Sequence, residues 1–361
     1  MLGFAIAFLA IYLSANGYLL WRIYQATEVV PVWLRVAIVV LLSAIALMLF
    51  ATFGLRDAGL PEGVMRAMFN IGSVWLVFLL YATLAVAFFD VVRLLFPAFR
   101  FGLPIALLIT IFILQIGYVR FRNPRVVEYS FASEKIATPK RIVAISDVHL
   151  GYGTDRKALE SYVELINAQR ADMVLIVGDL IDNSLHPVVE QRMGEVLDAI
   201  DAPDGLFMVA GNHEYISDIR ASQEFLSTTK ITLLRDSVVR VGDIQIVGRD
   251  DMANRHRKSL DQLALGEGYT IVLDHQPTSI AESVAHSADL HLSGHTHRGQ
   301  VWPISWLTDA IYEQSYGYRK WQNSDVIVTS GLSLWGPPFR IGSQSELLVI
   351  TINPLGGLGG E

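Results

Sequence analysis

The chain has 361 residues, no cysteine and a formal net charge of −7. Without cysteine, neither a disulfide framework nor a thiolate metal site can form, so a transition metal must be held by His, Asp, Glu or Asn, a donor set suited to manganese, iron or zinc. The charge is uneven. Residues 1–140 carry 11 Lys/Arg and 6 Asp/Glu, whereas residues 141–361 carry 17 and 29 and are net −12. Such an acidic region lacks the basic footprint that a nucleic-acid backbone requires, so no nucleic-acid partner is expected.

Four stretches free of charged side chains open the chain: Leu2–Trp21, Val36–Leu55, Ala67–Phe89 and Phe101–Val119, of 20, 20, 23 and 19 residues. About 20 apolar residues suffice for a helix to cross the hydrocarbon core, so residues 1–120 read as a transmembrane region of four helices, about 2–21, 36–55, 67–89 and 101–119. Trp21, Trp33 and Tyr118 near the run ends suit an interfacial belt. Four buried helices of a soluble protein are a poor rival, because nothing else in the chain could cover them, and a cleaved signal peptide would carry a basic leader. Four spans return both chain ends to one side. Arg56, Arg66, Arg120, Arg122 and Arg125 fall on that side, against Arg22, Arg35, Arg93 and Arg100 on the other. The bias favours a cytoplasmic location for the remainder of the chain in a multi-pass protein of the cell (inner) membrane. With no ionisable residue expected at depth, the bundle reads as an anchor in the lipid bilayer, or a platform for lipid, rather than a transporter.

Residues 121–140, with Pro124 and Pro139, read as a juxtamembrane linker. From 141 to 352 short β-branched runs alternate with helical-period segments. The runs are Ile142–Ile145, Met173–Val177, Leu206–Val209, Ile271–Leu273 and Val326–Thr329; Lys157–Gln169 and Val188–Ile200 place apolar residues three and four apart. This alternation predicts an α/β domain with buried central strands. Gly242-Asp243 joins Val238–Val241 to Ile244–Val247 as a hairpin. Leu347–Ile352 is expected to be the last strand, and residues 353–361 a flexible tail.

The chemistry lies where the strands end. Ile142–Ser146 runs into Asp147-Val148-His149, Met173–Val177 into Gly178-Asp179, and Leu206–Ala210 into Gly211-Asn212-His213-Glu214. Ile271–Leu273 runs into Asp274-His275, and Leu290–Ser293 into Gly294-His295-Thr296-His297. Loops at the carboxyl ends of strands are where an open α/β sheet binds ligands. In Asp147-x-His149 and His295-x-His297, residues two apart on an extended backbone would point the same way and reach one metal cluster. Glycine before a ligand permits a sharp turn and close backbone approach. Five of the nine histidines fall in these motifs. Asp179, the lone carboxylate of its motif, is the candidate bridge between two metals.

This ordered set of motifs resembles the calcineurin-like metallophosphoesterase superfamily over about residues 141–352. The resemblance implies a four-layer αββα sandwich, here preceded by the four-helix transmembrane region, and a hydrolase with a binuclear centre. One divalent ion (Mn, Fe or Zn) would take Asp147, His149, Asp179 and His297; a second would take Asp179, Asn212, His275 and His295. His213 would be the catalytic imidazole facing the phosphate. A hydroxide held between the ions would attack a phosphomonoester, phosphodiester or pyrophosphate. The segment Gly331–Gly342, with Trp335-Gly336-Pro337-Pro338, looks like a subgroup of bacterial membrane-associated phosphoesterases. Anchoring suggests an amphiphilic, lipid-linked substrate; some relatives cleave the pyrophosphate of a UDP-linked diacylglucosamine. The rival from another class is a non-catalytic scaffold or receptor using a phosphoesterase-like domain, against which the complete ligand set counts. Oligomeric state is unconstrained.

Other residues carry two readings. Asp182 is either an outer partner of the metal ligands or a turn residue, and Glu214 reads as a structural carboxylate or one that orients a ligand His. Asp274 points to the opposite face and reads as structural, as does His291 in mid-strand; His186, His256 and His286 read as surface residues. Arg249, Arg255, Arg257 and Trp335 are candidate substrate contacts, weighed against a solvated loop. Trp302, Trp306 and Trp335 either pack the core or form an apolar rim facing lipid.

Overall fold

The computed structural model describes residues 2–55 and 58–355; Arg56, one vote in the charge bias, and the Gly-rich tail 356–361 lie outside them. The chain divides into two compact units, Met1–Val119 with Gly336–Ile341, and Arg120–Trp335 with Gly342–Glu361.

In the first unit the uncharged runs form α1 (Leu2–Ala26), α2 (Val32–Gly54), α3 (Glu62–Leu95) and α4 (Gly102–Arg122). All four are long and apolar enough to cross a membrane. α1 and α3 run past the expected ends because their flanking charges pair instead of terminating the helices. Arg22 lies 2.7 Å from Asp90, which also accepts the Tyr18 hydroxyl at 2.5 Å. Tyr12, Leu19, Ala46, Trp75, Leu79, Ala82 and Ala106 form the shared interior, while residues such as Ile11, Val40, Leu47 and Phe112 point outward. Apolar residues on the outside and a few satisfied polar groups inside, such as Asn16 accepting from Trp75 at 3.0 Å, are what a lipid solvent selects.

In the second unit the strands are β1 (Arg125–Ser133), β2 (Lys140–Ile145), β3 (Met173–Val177), β4 (Leu206–Val209), β5 (Ile231–Leu234), β6 (Ser237–Val241), β7 (Ile244–Gly248), β8 (Tyr269–Leu273), β9 (Leu290–Ser293), β10 (Gly317–Trp321), β11 (Ser324–Val328) and β12 (Glu346–Pro354). They form two six-stranded sheets, ordered β1-β12-β2-β3-β4-β5 and β10-β11-β9-β8-β7-β6. Strand periodicity makes the layers. Ile142, Ala144, Leu175 and Val209 of the first sheet meet Ile246, Ile271, Leu273 and Leu292 of the second. The alternate residues Val143, Ile145, Val174 and Ile176 face the other way, onto helix α5 (Arg156–Asn167) through Leu159, Val163 and Ile166. On the outer face of the second sheet, Val247 and Val272 pack with Leu260, and Val326 and Val328 with Ile280. The expected αββα sandwich is therefore present.

Three expectations need correction. The segment read as a linker, 121–140, contains β1, whose nine residues pair in parallel with β12; alternating exposure along β1 marks an edge strand that the proline-flanked, charged sequence concealed. The expected tail begins too early, since Asn353 and Pro354 still belong to β12. Val188–Ile200 is not one helix but two, α6 (His186–Glu190) and α7 (Met193–Leu197), because Arg192 adopts a left-handed conformation (φ 53°) that interrupts the helical hydrogen bonds.

Candidate metal centre

All five motif loops leave the carboxyl ends of β2, β3, β4, β8 and β9, and their side chains converge. Nε2 of His149 lies 3.2 Å from Nε2 of His297, which is 3.4 Å from Oδ1 of Asp147. Nε2 of His275 lies 3.1 Å from Oδ2 of Asp179, and the same oxygen is 3.8 Å from Nε2 of His149. Among the described residues three groups that could hold a metal ion result: Asp147–His149–His297, His149–Asp179–His213 and Asp179–His275–His295. Asp179 belongs to two of them.

The local conformation differs from the one the spacing suggested. Asp147 (φ 56°), His149 (φ 49°), Asp179 (φ 52°), His295 (φ 68°) and His297 (φ 49°) are all left-handed. The pairs Asp147/His149 and His295/His297 therefore converge because both members turn off a strand end, and not because an extended backbone repeats every two residues. Such residues cost of order 1–3 kcal/mol each and persist where the surroundings over-determine them. The surroundings here are explicit. The N–H of Asp147 donates to Gly178 O at 3.1 Å, and that of His149 to Asp179 O at 3.0 Å. The N–H of His295 donates to Asp147 Oδ2 at 3.1 Å, and that of His213 to Asp179 Oδ1 at 2.9 Å. Close approach also fixes the glycines: a Cβ on Gly211 would collide with Oδ1 of Asp179, and one on Gly294 would sit 2.5 Å from Oδ2 of Asp147.

The electrostatics favour positive charge. Burial alone would make His149 and His275 neutral and Asp147 and Asp179 hard to ionise. The mutual attraction overrides it. Asp147 and Asp182 raise His149 to about 10, and Asp179 raises His275 well above the ordinary imidazole value. Asp147, beside His297 and His149, and Asp179, beside His275, are held well below the carboxylate range. His295 goes the other way: burial and the neighbouring His275 push it down to about 4. Cations satisfy such a cluster better than protons, and the donors are arranged for them. Nδ1 of His275 faces Val177 O at 2.8 Å, which places one proton there and aims Nε2 at Asp179, where a metal would replace the second proton. Oδ1 of Asn212 is buried with no hydrogen-bond partner among the described residues, the orphaned state expected of a metal ligand. Divalent ions fit this donor set.

The family model for calcineurin-like phosphoesterases matches residues 140–299. A metallophosphoesterase of Helicobacter pylori strain J99 is 31% identical over 274 residues, 72% of this chain and 73% of that protein. This chain belongs to the calcineurin-like metallophosphoesterase family. Another relative, a transmembrane protein with metallophosphoesterase domain from Danio rerio, is 31% identical over 69% of this chain and 62% of its own length. The chain spans 62% to 73% of these two relatives. Together with the four apolar helices, the second relative marks this metallophosphoesterase as a membrane protein. Among solved structures, a 5′-nucleotidase precursor from Thermus thermophilus aligns with a TM-score of 0.36 at 17% identity over 54% of this chain and 50% of that one.

Around the candidate ligands of this metallophosphoesterase, a second set of groups holds the geometry. Oδ1 of Asp182 lies 3.0 Å from Nδ1 of His213 and 3.5 Å from Nδ1 of His149, so one carboxylate orients two imidazoles. Glu214 takes the structural role: its buried carboxylate accepts from the N–H groups of Gly211 (2.7 Å), Ile181 (2.9 Å) and Asp179 (3.0 Å). It therefore ties the β3 and β4 loops together, and burial with the nearby Asp179 pushes it up to about 7. Gly331, after β11, opens the segment Gly331–Gly342 and also belongs to the site, which that segment's motif did not indicate. It is left-handed (φ 86°), and a Cβ there would sit 2.7 Å from Cβ of Asp147. The signal was present, a glycine closing a buried strand, but no ligand type follows it.

Two candidate substrate contacts are spoken for. Arg257 pairs with the buried Asp274, and the almost fully buried Arg249 bonds Glu282 at 3.0 Å and Lys258 O at 3.0 Å. Asp250 and Asp251 are equally buried, and Asp251 accepts from Gln276 at 2.9 Å, so this loop is internal scaffolding. Arg255 is exposed and Trp335 half-buried. His291 is a satisfied core histidine, with Ser283 Oγ at 2.9 Å and Ser293 Oγ at 2.8 Å.

Proposed function

We propose that this chain is a membrane-anchored phosphoesterase that hydrolyses a phosphomonoester, phosphodiester or pyrophosphate with two divalent ions. The observation that carries the reading is the shared carboxylate of Asp179, 3.1 Å from His275 and 3.8 Å from His149, where two ligand groups join. Asp147, His149, Asp179 and His297 would hold one ion, and Asp179, Asn212, His275 and His295 the other. Bound there, the ions would supply Lewis-acid neutralisation of phosphate charge and activation of water. The rest falls to the chain. Asp147 and Asp179, kept ionised by their imidazole neighbours, present fixed anionic donors. His213 stands outside both ligand sets in this assignment. With Asp182 beside its Nδ1, its other nitrogen is free to donate a hydrogen bond to a phosphate oxygen or a proton to the leaving oxygen.

The four apolar helices support anchoring, and anchoring supports a lipid-linked substrate, with Arg255 and Trp335 as remaining candidate contacts. The arginines in the last turn of α4, Arg120 and Arg122, and Arg125 just after it support a cytoplasmic face. The experiment uses the full chain in detergent. Two ions per chain by elemental analysis, hydrolysis of bis-p-nitrophenyl phosphate abolished by chelation, and restoration by manganese or zinc are the expected results. His213→Ala should retain the metals and lose about 10²-fold or more in kcat. Full activity in both His213→Ala and Asp179→Ala would sink the assignment. Bound metals without turnover of any ester would favour the scaffold reading.

A further inference from the structure

Helix α11 (Ile304–Ile311) is built inside out; it follows the short helices α8 (Asn212–Ile216), α9 (Ile219–Ser227) and α10 (Ile280–Ala285) of the same unit. None of its eight residues is buried. Its small polar residues Ser305 and Thr308 are half-buried, while the apolar ones face out: Ile304 is 45% exposed, Trp306 65%, Leu307 50% and Ile311 62%, with Trp302 beside them at 43%. A helix of a water-soluble domain buries the opposite stripe. Contiguous exposed apolar surface of this kind marks a surface meant to be covered.

The helix is tied to the metal centre at both ends. The ligand His297 begins the turn that leads into it, and a Cβ on Gly299 of that turn would sit 2.5 Å from Cα of Ser305. At the far end, the ring of Tyr312 packs edge-on to the ring of His295, with centroids 6.1 Å apart. Whatever covers Trp306 and Leu307 is therefore held a fixed, short distance from the ligand loops.

Chain continuity names the occupant. This unit follows directly on α4, and β1 starts three residues after α4 ends. The chain then enters the four-helix unit a second time at Gly336–Ile341. Gly342, where it returns, lies against Trp302: a Cβ there would be 3.2 Å from that of the tryptophan. We infer that Trp302 and the outer face of α11 dip into the lipid surface beside the metal centre, so that the phosphate of a membrane-resident ester meets the ions while its acyl chains stay in the bilayer. Tryptophan and branched aliphatics on a short interfacial helix are the side chains that such a contact requires. The inference rests on the reading of α1–α4 as membrane helices and deepens the proposed lipid-linked substrate.

The absence of cysteine makes a direct test clean. Single spin labels are placed at Leu307→Cys and Ile311→Cys on α11, at Ile111→Cys on the outer face of α4, and at Glu160→Cys on exposed α5. The full chain is reconstituted in lipid nanodiscs, and collisions with oxygen, which partitions into lipid, are compared with collisions with an aqueous nickel chelate. Labels at 307 and 311 should behave like 111. If they behave like 160 while 111 is in lipid, α11 faces water and the inference fails alone. If 111 is itself in water, the membrane reading fails with it. Protection of 307 and 311 from both reagents would mean a protein partner, and would also overturn it. None of these readouts needs turnover. In a second arm, combining Trp306→Ser with Leu307→Ser should lower hydrolysis of a diacyl phosphate ester in vesicles by about tenfold, the scale of losing one buried apolar side chain. Hydrolysis of bis-p-nitrophenyl phosphate should be unchanged. Equal loss on both substrates, or none on either, would overturn the proposal.

Discussion

Oδ2 of Asp179 lies 3.1 Å from Nε2 of His275, while its partner Oδ1 accepts the backbone N–H of His213 at 2.9 Å. One carboxylate thus joins the loops after β3, β4 and β8, and one oxygen is left for the centre of the cluster. Asp179→Asn keeps the volume and the hydrogen-bond acceptor but removes the charge. The expected outcome is loss of at least one ion per chain by elemental analysis, with a fall in kcat of about 10³-fold or more. Full metal content in this variant would contradict the bridging role.

Asp182 touches the proposed phosphate-facing His213 and the proposed ligand His149 at once. Partners of this kind are worth about 10–100-fold in metal affinity or activity. Asp182→Asn should show a loss in that range in kcat, together with an altered pH–rate profile. A change confined to KM would argue for direct substrate contact instead.

Metal affinity should rise with pH. His149, raised to about 10, and His275, raised well above the ordinary imidazole value by Asp179, both hold protons that an incoming metal must displace. Below those pKa values protons compete with the ion, and above them they do not. His295, pushed down to about 4, is already neutral near pH 7 and releases none. Titration calorimetry with manganese between about pH 6 and 8 should give affinity increasing roughly tenfold per unit for each proton displaced, with proton release visible in buffers of different ionisation enthalpy. A pH-independent affinity would contradict this assignment.

Arg257 should matter to stability and not to substrate. Its guanidinium, 7% exposed, pairs with Asp274, which is 1% exposed. Removing one partner of a buried pair typically costs about 3–5 kcal/mol because the other charge is stranded. Arg257→Met should lower the melting temperature in detergent while metal stoichiometry stays at the wild-type value. Arg255→Ala, at an exposed position, should leave the melting temperature unchanged. An unaltered Tm in Arg257→Met would show that the pair is dispensable.

Much of this protein is legible in one dimension. Uncharged runs about 20 residues long can satisfy their own backbone only as helices in an apolar solvent, so α1–α4 follow from composition alone. Apolar runs such as Met173–Val177 and Leu206–Val209, closing on glycine and then on Asp or Asn, announce both the buried strands and their chemical ends, because local propensity and residue type are written in the same few positions. What tertiary structure alone decided is pairing and direction. The edge strand β1 is charged and proline-flanked, and becomes a strand only because β12 lies alongside it. Glu214 binds three amides from two loops, Arg257 is drawn inward to Asp274, and the apolar side of α11 faces out; each outcome depends on groups distant in sequence. The left-handed turns at Asp147, Asp179 and His295 are of the same kind. No residue prefers that conformation enough to be read from its own neighbours, and convergence on one buried cluster makes it the state of lowest energy.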